Sequence, residues 1–236
     1  MKKIFIAILV LIAVIAVALE IVVPRVVTSM LKEQISHATH AKDVELHMYS
    51  SPNAKIAIGQ VDKVHATATA GEIGDVGFQA LTLDADKINV DIMELISPTN
   101  TLNAKQRADK ILKSVGNIEL NGVITEDGLK EFVERKVDDV ESSNIKITPQ
   151  EVSASGKIKI IGQTADVDIA GSFILDNGDI YFHVTGLNVR NALVRHVQMD
   201  RFLGDIKILQ SEQLPVGLKF SKVQMREGDV LITATR

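Results

Sequence analysis

A chain of 236 residues with 24% charged and 4% aromatic residues, no Trp and no Cys is neither a disordered tail nor a disulfide-stapled module. The lack of cysteine also excludes thiolate metal sites and a lipid-modified cysteine, and so few aromatics make no sugar-stacking surface. Net charge is −4, or −6 without Lys2 and Lys3, from 24 basic and 30 acidic residues; no basic face is left for nucleic-acid phosphates, so no nucleic-acid partner is expected.

The N-terminus is the strongest feature. Lys2 and Lys3 precede Ile4–Leu19, which carries no charge, and Glu20 stands near the far end before Ile21–Pro24. At about 1.5 Å per residue, and with roughly 20 apolar residues needed for a span, Ile4–Val23 is just long enough to cross a bilayer. The lysines hold their end in the cytoplasm and send the rest outward. Ala16-Val17-Ala18 also supplies the small-x-small pattern of a cleaved secretory signal. Anchor and signal both stay open for residues 1–24. Either one makes residues 25–236 an extracytoplasmic domain, tethered to the cytoplasmic membrane or, after cleavage, periplasmic or secreted.

Val27, Met30, Leu31, Ile35 and Ala38 recur at helical spacing opposite Lys32, Glu33 and Ser36, which predicts an amphipathic helix docked on that domain. His37 and His40 lie three apart but have no third ligand in view. From Asp43 the period changes to two. Val44, Leu46 and Met48 alternate with polar residues, and Ser50–Asn53 makes a turn. Short strands are expected at Ile56/Ile58 and Val61/Val64. The stretch Ala66–Gly71 is expected to bend or bulge. Val76 and Phe78 share one parity and Leu81 and Leu83 the other, with a bulge between them; Ile88, Val90 and Ile92 alternate cleanly. The pattern is an antiparallel meander with one wet and one buried face.

Ala104–Leu112 fits a short polar helix or a loop. A strand at Ile118 and Leu120 then runs into a helix with Thr125 as N-cap and Glu126 and Asp127 in its first turn. Leu129, Phe132, Val133, Val137 and Val140 mark one apolar stripe on it, the mark of a helix lying on a sheet. A second β set follows: Ile145 and Ile147; Val152, Ala154, Ile158 and Ile160; Ala165, Val167 and Ile169; Phe173 and Leu175. Asp176-Asn-Gly-Asp179 is a tight-hairpin signal, and Ile180, Phe182 and Val184 return. Asn191–Leu203 is expected to be helical. Leu214–Phe220 opens a last hairpin turned at Arg226–Asp229.

Catalytic signatures are missing. There is no Gly-x-Ser-x-Gly, no His-Glu-x-x-His and no phosphate loop, and the six histidines are scattered. Asp166 and Asp168 share a strand face and are the one pair of acids that could bind a cation or do acid/base work, although a solvated face explains them. Arg190, Arg195, His196 and Arg201 form a local excess of positive charge and are candidates for a headgroup phosphate. No cofactor, metal site or catalytic residue is expected.

The strand Asp43–Tyr49, the run Ile88–Leu95, Gly122-Val-Ile-Thr-Glu-Asp-Gly-Leu129 and Leu214-Pro-Val-Gly-Leu218, in this order behind an N-terminal membrane segment, resemble the LmeA-like family of bacterial phospholipid-binding envelope proteins. The resemblance implies an α+β fold with curved antiparallel sheets wrapped around helices in a tubular lipid-binding style. It further implies a phospholipid or related lipid as partner, a membrane location, and a part in envelope assembly, without catalysis. An aliphatic, aromatic-poor face suits acyl chains. Leu129, Phe132, Val133, Ala165, Val167, Ile169, Phe173 and Phe182 are accordingly the candidates for a lipid cavity, with Arg190, Arg195 and Arg201 at the headgroup. Two readings from other classes stand beside it: a non-enzymatic scaffold that binds an envelope protein and has a filled core, and a hydrolase or transferase using Asp166 and Asp168.

Overall fold

Antiparallel ladders carry the fold. The computed structural model describes residues 23–33, 35–36, 39–97, 104–136, 140–160, 163–190 and 204–236. In chain order the elements begin with helix α1 (residues 23–33), β1 (Asp43–Tyr49), a 3-10 turn (Asn53–Ile58), β2 (Gln60–Thr69), β3 (Glu72–Ile73), β4 (Val76–Gly77) and β5 (Ala80–Val90). Next come α2 (Ile92–Ile96), α3 (Ala104–Ile111), β6 (Leu112–Ser114), β7 (Ile118–Thr125) and α4 (Glu126–Lys136). The chain closes with β8 (Val140–Ile147), β9 (Val152–Ile160), β10 (Gln163–Asp176), β11 (Asp179–Val189), β12 (Asp205–Leu209), β13 (Lys219–Arg226) and β14 (Asp229–Thr235). This is a mostly antiparallel β protein with a few helices, of the α+β class. The apolar segment Ile4–Leu19 and the expected helix Asn191–Leu203 lie outside the described residues. Among the described residues no helix is long and apolar enough to cross a membrane.

The chain divides into two compact units, Met1–Ala68 with Thr82–Glu119, and Thr69–Leu81 with Leu120–Arg236. In the first unit β1, β2 and β5 lie side by side and β6 pairs with β5. Val27, Ile56, Val61, Ile88, Val90, Leu95 and Ile111 form its buried cluster, with Val23, Leu31 and Ile92 packed against it. Val27 and Leu31 of the predicted stripe thus dock on the unit, while Ala38 lies outside the described residues. Ser50 is buried; its hydroxyl donates to the carbonyl of Gln60 (3.2 Å) and accepts from the amide of Asp62 (3.1 Å), tying the end of β1 to the start of β2. The Asp62 carboxylate accepts from the Ser51 amide at 2.9 Å, and this bond first of all holds it below the usual carboxylate range.

In the second unit β7, β14 and β13 run in order, and a five-stranded sheet has the order β12-β11-β10-β9-β8. The Thr125 hydroxyl accepts from the Gly128 amide at 3.3 Å, so Thr125 caps α4 as predicted. Glu126 and Asp127 stand in the first turn of α4 and Arg135 and Lys136 in the last, each sign matched to its end of the helix dipole. Arg135 reaches Glu72 (3.1 Å) and the Asp75 carbonyl (2.9 Å), and Lys136 pairs with Asp75, so the helix is strapped to the β3–β4 hairpin. The Asn177-Gly178 turn has positive φ at both residues (50° and 86°), as the hairpin signal requires.

Several local expectations are corrected. Ile56 and Ile58 do not form a strand: the chain makes a 3-10 turn, with Ile56 buried and Ile58 exposed. Two apolar residues two apart match a strand, but a six-residue span closed by a left-handed glycine matches a turn better. Ala66–Thr69 completes the ten-residue β2, with Ala66 and Ala68 buried, and the bend allowed by Ala66–Gly71 comes just after it, at Ala70, where φ is +55°. Ile92 leaves the strand alternation because Asp91 caps α2, its carboxylate accepting from the amides of Met93 (2.9 Å) and Glu94 (3.2 Å). The stripe of α4 cannot extend to Val140, which begins β8, and Val137 lies outside the described residues. The strand β12 was not foreseen. Gly59 closes the turn at φ +82°, donates to the Ile56 carbonyl (3.0 Å) and accepts from the Val90 amide (2.7 Å); a Cβ there would stand 2.1 Å from the Val90 oxygen. Gly59→Ala is expected to cost more than about 1 kcal/mol from backbone conformation alone, with the clash added, and thermal unfolding of the variant checks it.

Candidate functional site

Side chains alternate across a strand, so register fixes which residues share a face. Ala165, Val167, Ile169, Gly171 and Phe173 lie on one face of β10. Their partners on β9 are Ile158, Gly156, Ala154 and Val152, whose own partners on β8 include Ile145 and Ile147. On β11 the partners of Val167 and Ile169 are Val189 and Leu187, while those of Gly171, Phe173 and Leu175 are Val184, Phe182 and Ile180. The change of parity is absorbed by a bulge: the register shifts between Ala170 and Gly171, leaving Thr185 as the extra residue of β11. The result is an apolar face running unbroken along the β10–β11 pair.

Of the predicted cavity residues, Ala165 and Val167 are buried and join Val189 in one cluster, with half-buried Ile169 and Leu187 packed against it. Phe173 and Phe182 meet edge to face, with ring centroids 5.6 Å apart and planes at 63°. Gly171 is required beside them, since a Cβ would stand 2.4 Å from the His183 carbonyl and 2.6 Å from the Phe182 ring. Leu129 is buried on α4, and Phe132 and Val133 are half-buried. Their helix has β4 and β8 as its principal neighbours. Glu126 accepts from the Ile147 amide and Glu134 from the Ser143 hydroxyl, both at 2.9 Å. The structure therefore gathers Ala165, Val167, Ile169, Phe173 and Phe182 on one ladder and sets Leu129, Phe132 and Val133 beside the β8 edge.

The opposite face of the same sheet is polar. Asn144, Lys146, Ser153, Ser155, Asp168 and Asn188 border an open groove of about 430 Å³ that Ala154, Ile169, Ala170, Gly186 and Leu187 also line. Asp166 and Asp168 do share this face. Asp168 accepts from Arg190 at 3.0 Å and from the Asn188 amide group at 3.4 Å, and the Asp166 carbonyl accepts from the Arg190 amide at 2.9 Å. Arg190 is thus an ion-pair partner of Asp168. Arg195, His196 and Arg201 lie outside the described residues. Among the described residues no three His, Cys, Asp or Glu side chains converge on a possible metal position.

One polar cluster gave no sequence signal beyond its turn. Asp179 accepts from Lys207 (2.8 Å) and from the amide and hydroxyl of Ser211 (2.8 and 3.0 Å), which locks β12 onto β11. Lys207 also stands 5.3 Å from the Tyr181 ring centroid. The Lys207 bond, then the Ser211 amide, holds the Asp179 carboxyl below its ordinary range, and Asp179 in turn raises the Lys207 ammonium above the usual lysine range. A carboxyl lowered in the folded state stabilises fully above its unfolded value and loses that contribution as pH falls through the folded one. Asp179→Asn should therefore cost about 1–2 kcal/mol, roughly 2–8 °C in Tm, at neutral pH. The gap to wild type should close in melts below about pH 4.

The LmeA-like phospholipid-binding family model matches residues 18–235 of this chain. No curated protein and no solved structure matches it. With nearly the whole chain covered, the protein belongs to the LmeA-like phospholipid-binding family, which is a lipid-binding family and not an enzyme family.

Proposed function

We propose that this member of the LmeA-like phospholipid-binding family holds a phospholipid-like molecule at the outer face of the cytoplasmic membrane and presents or transfers it during envelope assembly, without catalysing a reaction on it. Residues 1–24 serve as anchor or export signal and residues 25–236 as the extracytoplasmic lipid-binding part, with curved sheets around helices in the tubular style. Acyl chains lie along the face that carries Ala165, Val167, Ile169, Phe173 and Phe182, with Leu129, Phe132 and Val133 of α4 adding to the apolar lining.

The observation that supports this reading is the uninterrupted apolar ladder in a chain of this family. Across the bulge, Val184 and Leu187 resume the apolar pattern on either side of Thr185. Apolar burial contributes about 25 cal/mol per Å², so roughly 300 Å² of one acyl chain yields about 7 kcal/mol before the cost of association. That cost is at least about 4 kcal/mol. A single chain therefore binds weakly, and a two-chain lipid fits the reading better than a fatty acid. Arg190, engaged by Asp168 on the polar face, is no part of the acyl-chain surface.

Native mass spectrometry of the full chain, purified from an exporting bacterial host, tests this. A stoichiometric phospholipid adduct is expected, and solvent extraction would name its headgroup. A clean apo mass that persists after incubation with phosphatidylethanolamine and phosphatidylglycerol vesicles would overturn the proposal and leave the filled-core scaffold. Ile169→Glu, at a half-buried position of the ladder, should reduce the adduct at least about tenfold, since a carboxylate must be desolvated against an acyl chain. Its thermal unfolding should stay within a few degrees of wild type.

A further inference from the structure

Large exposed apolar side chains in the first unit are concentrated at one end. Strand directions show this: β1 runs toward that end and finishes at Tyr49, the turn Asn53–Ile58 caps it, β2 leaves it, and β5 returns to it before α2. The Ser50 bonds to Gln60 and Asp62, and the Val90 amide to the Gly59 carbonyl, hold these pieces together. Ile58 is 68% exposed, Met93 72%, Ile96 52% and Tyr49 60%. Met93 and Ile96 stand three apart on α2, so they share its outward side, while Leu95 faces the core.

The helix α1 starts at this same end. Lys32, late in α1, pairs with Asp43 at the start of β1 (3.8 Å), so α1 and β1 run in opposite directions. Val23 packs into the cluster that holds Ile56, Ile92 and Leu95. Val26, in the first turn of α1, is exposed as well. Only three residues separate Val23 from Leu19, the last of sixteen uncharged residues, and those four residue-to-residue steps cover at most about 14 Å whatever their conformation.

We infer that this end of the first unit seats on the phospholipid bilayer, with Ile58, Met93 and Ile96 entering the interfacial layer and Tyr49 at its rim. The inference rests on the membrane location proposed above and adds a second contact to it, made by folded residues. A bilayer holding Ile4–Leu19 therefore lies within about 14 Å of Val23 along the chain. Tyrosine is enriched at that depth, where its ring meets acyl chains and its hydroxyl meets water. Carboxylates of Asp62 and Asp91 nearby are already paired with Lys55 and Lys113.

The chain contains no cysteine, which makes single-site labelling direct. Ile58→Cys, Met93→Cys and Lys42→Cys versions of the full chain, each carrying an environment-sensitive fluorophore, are to be reconstituted with phosphatidylethanolamine and phosphatidylglycerol vesicles, with and without brominated acyl chains. Lys42 is exposed next to the start of β1, at the far end of the unit. Blue-shifted emission and loss of intensity to brominated lipid are expected at 58 and 93 and not at 42. Aqueous emission at 58 and 93 overturns the inference, as does an equal shift at all three positions. A blue shift without quenching overturns it too, because it marks contact with protein. The lipid adduct seen by native mass spectrometry does not depend on these outcomes, so the two proposals can fail separately.

Discussion

Everything in the second unit depends on keeping apolar side chains on one side of a long antiparallel pair. A strand of fourteen residues and one of eleven would lose face alignment with any uncompensated insertion, because a shift of one residue turns the whole apolar set outward. The bulge at Thr185 absorbs the extra residue, and Gly171 lets the Phe182 ring and the His183 carbonyl come close at that point. Ala165, Val167 and Val189 on one side of the bulge and Phe173 and Phe182 on the other then belong to one surface.

The edges of the five-stranded sheet are managed by different means. Beside β8 lies α4, whose Glu126 satisfies the Ile147 amide and whose C-terminal Arg135 and Lys136 are held by the β3–β4 hairpin. The short β12 is fixed by the Asp179–Lys207–Ser211 cluster, a charge-assisted network worth more than an exposed pair because several donors converge on one carboxylate. With no disulfide possible, such networks and the ladders do the work of staples.

The two units present apolar surface in different ways. In the second it is a continuous ladder, largely buried or half-buried, which suits extended apolar chains. In the first it is a set of separate projecting side chains around a turn and a short helix, over a well-filled core of Ile56, Val90 and Leu95. Projections from a closed core suit a surface and not a cavity. The physical contrast supports assigning lipid holding to one unit and membrane seating to the other.

Much of this was legible in the sequence, and for an identifiable reason. Period two in Val44–Met48 and Ala165–Ile169, the Asn-Gly turn at 177–178 and the Thr125 cap are local signals, and local sterics and hydrogen bonding dictate them whatever the rest of the chain does. The family resemblance rests on the sequence itself, in Ile124-Thr-Glu and Leu214-Pro-Val-Gly-Leu, and needs no structure to be seen. Tertiary structure alone decided the turn at Asn53–Ile58, where two isoleucines at strand spacing are split between core and solvent by the left-handed Gly59 and its bond to Val90. It alone decided that Arg190 answers Asp168 twenty-two residues away, that Asp179 finds Lys207 and Ser211 across a strand, and that Val23, Ile58 and Met93 share one end of a unit. Those are long-range pairings set by register and strand direction, and a one-residue change in register, invisible to local pattern, would have redirected every one of them.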